Sequence, residues 1–138
     1  GADPTAGGSW RTLAMKEIAG NLSWALYPFG DGGRPGGHAN TGTDLWASGP
    51  AAPALNTWTH FATTYDGTTI RLFVNGVQVG TRAQTGSLLQ STQPLRFGGT
   101  AVWAEWFQGR LDEIRVYNRA LTAAQIQADM TQAVTPGT

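Results

Sequence analysis

Trp103 and Trp106 stand three apart in AVWAEWF, between two runs that read as strands. An indole presents a flat apolar face on which the C–H face of a sugar ring stacks, provided polar neighbours take up the hydroxyls. Trp46 beside Asp44 meets that description, as does Arg34 with His38 and Asn40 in the same long loop. Trp103, Trp106, Trp46, Asp44, Arg34, His38 and Asn40 are therefore the candidate ligand-binding residues. The plainer reading of Trp103 and Trp106 is that they cover core, and the sequence weighs the two equally. Trp10, Trp24 and Trp58 fall within strand-like runs and are read as core.

Bond-breaking chemistry has fewer candidates. Glycoside hydrolysis needs two carboxyl groups facing one cleft about 5 to 9 Å apart. The chain carries nine Asp and Glu residues; Asp112 and Glu113 are adjacent and would project to opposite faces of a strand, while Glu17 and Glu105 stand alone. With two histidines, His38 and His60, a metal site built on several imidazoles is excluded. His38 lies in a glycine-rich loop, where it is solvated or touches a ligand. GDGGRPGG lacks the Lys-Ser/Thr pair and following helix of a phosphate loop. Asn21-Leu22-Ser23 fits a glycosylation sequon, which matters only on a eukaryotic secretory route. No catalytic residue is assigned, and the chain is not expected to be an enzyme.

The elements that must position these side chains come from a chain of 138 residues, enough for one domain. Nineteen Gly, seven Pro and 13% charged residues indicate a turn-rich all-β protein. Nine basic and nine acidic residues cancel without clustering, so the footprint of a nucleic-acid or anionic-membrane binder is missing. No apolar run approaches the ~18 residues that span a bilayer. There is no Cys, and Lys16 is the one Lys among nine basic residues, a bias that together with abundant Ala and Gly suggests a GC-rich bacterial source.

WRTLAMKEIAG (10 to 20) and LSWALYPFG (22 to 30) read as two strands joined at Gly20-Asn21. Residues 30 to 56 hold seven Gly and three Pro and read mostly as loop, with one short strand around His38 to Trp46. WTHFATTYD, TIRLFVNG and VQVGTRAQ alternate with period two and turn at Asp66-Gly67 and Asn75-Gly76, a three-stranded meander. PLRFGGT is another short strand, and GRLDEIRVYNRA (109 to 120) reads as a long alternating strand. Thr122 then caps a short helix, AAQIQADM.

On WTHFATTYDGTTIRLFVNGVQVG and FQGRLDEIRVYNRALTAAQI the sequence resembles the laminin G-like branch of the concanavalin A-like jelly rolls. The resemblance implies an all-β sandwich of two antiparallel sheets with a short C-terminal helix. The domain runs over residues 10 to 131, with 1 to 9 a flexible N-terminus or cloning remnant and 132 to 138 a polar tail. It implies a packed, hydrogen-bonded strand position for His60 and makes Asp112 a candidate calcium ligand. The family usually begins with further strands that nothing before Trp10 resembles, so the resemblance also implies open sheet edges, relieved by a homo-oligomer or a complementing chain.

The expectation is a non-catalytic, lectin-like carbohydrate-binding module, an extracellular accessory domain of a secreted bacterial protein that meets a glycan or cell-surface partner. The alternative is an interaction or structural module completed by strands from another chain.

Overall fold

Gly20, at φ +70°, turns the chain between β1 (Ala14–Ile18) and β2 (Asn21–Tyr27), as the sequence predicts. The computed structural model describes residues 10–103, 105–107, 109–112 and 114–133. Two strands follow where one is expected: β3 (Gly36–Asn40) and β4 (Asp44–Ser48) form a hairpin. The side chain of Asn40 makes this turn by accepting the Gly42 N–H at 2.9 Å, an Asx turn that composition alone disguises as loop.

The meander forms as predicted from β5 (Phe61–Tyr65), β6 (Thr69–Val74) and β7 (Val77–Ala83). Asn75 and Gly76 both hold positive φ, +50° and +77°, as a type I′ hairpin requires. Asp66 caps the other turn by accepting the backbone N–H groups of Thr68 and Thr69 and the Arg71 guanidinium. Strand β8 (Leu95–Phe97) then returns to the first sheet. The order is β4-β3-β2-β1-β8 in one sheet and β5-β6-β7 in the other, all pairs antiparallel.

The sheets face each other across Ala39, Ala47, Ile70 and Leu72, with Leu26, Leu45, Tyr65 and Val79 packed around them. Burying Ile70 and Leu72 contributes roughly 1.5–3 kcal/mol each. Thr63 also faces inward, because a Cβ on Gly37 would lie 2.1 Å from its Oγ1. A second cluster, Met15, Leu22, Ala25 and Tyr27 with Trp10 against it, occupies the opposite, outer face of the larger sheet.

Helix α1 (Ala123–Met130) begins at Thr122, whose hydroxyl accepts the Gln125 N–H while the Gln125 side chain accepts the Thr122 N–H. Gln127 donates to the Gly76 carbonyl at 2.9 Å, seating the helix on the β6–β7 turn.

Three expectations are corrected. None of the described residues of 109 to 120 lies in a strand. A strand needs a neighbouring ladder, and here the segment is held by side chains instead: the Arg115 guanidinium donates to the carbonyls of Asp129 and Gln132, and the Tyr117 hydroxyl to the Asp129 carboxylate. Trp58 is not core but 68% exposed, because pairing with β6 begins only at Phe61. His60 precedes β5 rather than lying within it; its backbone bonds Asn75, while its ring Nδ1 has no partner among the described residues. Trp10 and Trp24 are half-buried. Residues 1 to 9 and 134 to 138 lie outside the described residues.

Candidate functional site

Strands β3 and β4 place Gly36, His38 and Asn40 opposite Ser48, Trp46 and Asp44 in register. Ala39 and Ala47, one position over, enter the core between the sheets, so His38, Asn40, Asp44 and Trp46 share the outer face. In β2, Ala25 and Tyr27 pair with His38 and Gly36 and share it too.

Aromatic rings run across this face. Trp10 meets Tyr27 edge-on with centroids 4.9 Å apart, Tyr27 meets His38 at 5.0 Å, and His38 stacks on Trp46 at 5.1 Å with planes 15° from parallel. His38 is thus a buried strand residue, not the solvated loop residue expected from its glycine-rich surroundings. Its Nδ1 donates to the Asp44 carboxylate at 2.9 Å, which fixes the tautomer and ring plane. Nε2 is buried without a hydrogen-bond partner among the described residues.

Asn40 is committed to structure, donating to the Leu22 carbonyl and accepting from Gly42. Arg34 lies just before β3, 3.8 Å from Asp31 and well exposed.

The loop carrying Trp103 and Trp106 is tied to the same face by two carboxylates. Glu17 on β1 accepts from the Thr100 hydroxyl at 3.1 Å and the Ala101 N–H at 2.9 Å, and forms an ion pair with the Arg96 guanidinium, whose Nε lies 2.9 Å away. Burial alone would raise its pKa, but these bonds outweigh it and hold the carboxyl below its ordinary value. Glu105 accepts the Tyr27 hydroxyl at 2.8 Å and lies 3.5 Å from the Thr12 hydroxyl. Burial dominates there and raises its pKa. Trp103 and Trp106 are 45% and 56% exposed, and Trp106 packs edge-on Gly99, where a Cβ would meet its ring at 2.1 Å.

The structure therefore brings the Trp103–Trp106 loop and the His38, Asp44 and Trp46 group to one face, joined through Tyr27. Sequence reasoning missed Tyr27, Glu17 and Glu105 as anchors; the one available signal was Glu105 lying between two tryptophans. Asp112 is exposed on another part of the molecule, and no group of three or more metal-ligating side chains gathers among the described residues. Among the described residues, no set of side chains that would hold the calcium ion implied by the resemblance gathers around Asp112.

A second feature is a cleft of about 950 Å³ beside β5. Strand β7 packs over β4, β6 over β3 and β4, and β5 over β3 and part of β2, so β1 and β8 extend beyond the smaller sheet. Ala14, Trp24, Leu26 and Phe97 floor this cleft, and Gly109 to Asp112, Ile114 to Arg119 and Leu121 border it. His60 and Thr64 line it with ring and hydroxyl atoms that have no partner among the described residues. Burial, reinforced by the nearby Arg115 cation, lowers the pKa of His60.

Two facing antiparallel sheets and one terminal helix are the architecture of the concanavalin A-like lectin/glucanases superfamily, whose laminin G-type model matches residues 2–127. The chain belongs to this family. Mouse pappalysin-1 is similar to the domain, 37% identical over 78 residues that cover 53% of this chain and 5% of that protein. The crystal structure of an S-layer domain-containing protein from Clostridium thermocellum (residues 221–444) superposes with a TM-score of 0.50 and 22% identity, over 76% of this chain and 54% of that one. That likeness is one of fold. The laminin G-like domain spans about half of the solved chain and a small part of the mouse protein.

Proposed function

We propose that this laminin G-like domain is a non-catalytic, extracellular carbohydrate-binding module that uses the outer face of its five-stranded sheet. One observation carries the reading: half-exposed Trp46 on edge strand β4 is backed by the stacked His38 ring, which Asp44 holds in place. A pre-positioned indole with a carboxylate on the same strand face suits a sugar's apolar face and its hydroxyls. Trp103 and Trp106 are half-exposed on the loop that Glu17 and Glu105 anchor to that face.

Of the three carboxylates on this face, Glu17 and Glu105 are occupied in anchoring the loop and Asp44 in holding His38. A glycosidase needs two carboxyls facing one cleft about 5–9.5 Å apart and available to substrate; that each carboxylate of this face is already bonded to protein groups favours binding without hydrolysis. A surface-layer protein among the structural neighbours supports an extracellular setting.

A glycan array followed by titration calorimetry tests the proposal. Saturable binding that Trp46→Ala abolishes supports it; no binding to any glycan, or binding indifferent to Trp46, Trp103 and Trp106, overturns it.

The cleft favours a second reading, an interaction module completed by a strand from another chain. Its observation is that β1 and β8 have no opposing strand among the described residues, leaving two strand widths, about 10 Å, uncovered.

A further inference from the structure

Resting on that second reading, we propose that the free edge of β5 accepts an acidic extended peptide as an added strand. The hydrogen-bonding direction of each residue follows from the turn. Asn75 N–H donates to the His60 carbonyl and Asp66 N–H faces Thr69, so even-numbered residues of β5 point their backbone toward β6. By alternation, the N–H and C=O groups of Phe61, Thr63 and Tyr65 point the other way. There they meet no hydrogen-bonding group of another described residue. β5 carries neither a charge nor a proline, the features by which edge strands ordinarily repel a partner.

The side chains around this edge specify the occupant. An added strand has period two, so one set of its residues enters the apolar floor of Ala14, Leu26 and Phe97. The other set passes Thr64, 9% exposed with an unpartnered hydroxyl lining the cleft. The charged side chains lining the cleft among the described residues are Arg11, Arg110, Arg115 and Arg119 against Asp112 and Asp129. Charge complementarity therefore calls for apolar residues alternating with carboxylates, over a length matching the five residues of β5.

The test uses the 138-residue chain and N-acetyl-Val-Glu-Val-Glu-Val-Glu-Val amide, followed by fluorescence anisotropy. Saturable binding is expected, at least tenfold weaker for the twin with Lys in place of Glu. N-methylation of alternate amides abolishes it on one peptide edge and not on the other. Thr63→Pro removes one free donor at an edge position where proline is tolerated, and abolishes binding while circular dichroism is unchanged; the N-methylated peptides carry the test if that variant does not fold. Equal affinity for the Lys twin overturns the acidic occupant. A dimer that Thr63→Pro converts to monomer, with no peptide bound, gives the edge to a second copy and overturns this inference while the completed-module reading survives. A monomer indifferent to every peptide overturns both.

Discussion

His38 and Trp46 face each other across β3 and β4 with ring planes 15° from parallel, and Asp44, four residues after the turn-forming Asn40, holds the imidazole by its Nδ1. The platform is built before any ligand arrives, so little side-chain freedom is lost on binding. His38→Ala should leave a void beneath Trp46, cost about 2–4 kcal/mol in urea unfolding, and weaken glycan binding even though His38 is buried. Asp44→Asn should keep the fold and lower glycan affinity on the order of tenfold, through loss of ring orientation and of a hydroxyl acceptor.

Glu17 governs stability in acid. Its folded pKa lies below the ordinary carboxyl value of 4.5, so the stability it contributes is present above that value and is lost as pH falls through the lower folded pKa. Glu17→Gln should be destabilised by about 2–3 kcal/mol at neutral pH and show a shallower decline on acidification. Urea midpoints across an acid series read both.

Glu105 runs the other way. Its folded pKa is raised above 4.5, so its contribution is present below that value and lost as pH rises through the folded pKa. Glu105→Gln keeps an acceptor for Tyr27 and should be more stable than the parent at neutral pH, with the difference shrinking toward about pH 4. An advantage that is independent of pH would contradict the assignment.

Gly37 and Thr63 touch across the sandwich. Gly37→Ala should cost about 1–3 kcal/mol, since the new Cβ would stand 2.1 Å from the Thr63 hydroxyl and 2.7 Å from its Cβ. Combining it with Thr63→Gly should recover part of that loss, and a double-mutant cycle by thermal unfolding measures the coupling.

Local signals in the sequence proved sound where the chain's own neighbours decide the outcome. Gly20, Asp66-Gly67 and Asn75-Gly76 marked turns because their backbone requirements are local, and Thr122 with Gln125 marked the helix start for the same reason. Long-range partners decided the rest. The alternation of 109 to 120 is a true strand pattern, yet pattern does not supply a ladder, and Leu111, Ile114 and Val116 are 37%, 45% and 55% exposed. His38 looked solvated because its glycine neighbours are loop formers, although in β3 they are what lets Thr63 and the His38 ring approach the backbone. The family resemblance conveyed the two sheets; it did not convey that Tyr27 and Glu105 join the two halves of the candidate site.

Gln127 reaches the carbonyl of Gly76 across 51 residues of chain, and that separation has a meaning in time as well as in space. During synthesis at about 5–20 residues per second, the β6–β7 turn precedes its helical clasp by roughly 3 to 10 s. Through that interval the meander keeps its register without the clasp, on its own ladders and turns and on the packing of Ile70 and Leu72 against the earlier strands β3 and β4. Helix α1 then arrives as the last regular element among the described residues, and its docking marks a nascent chain that has been translated through to Met130.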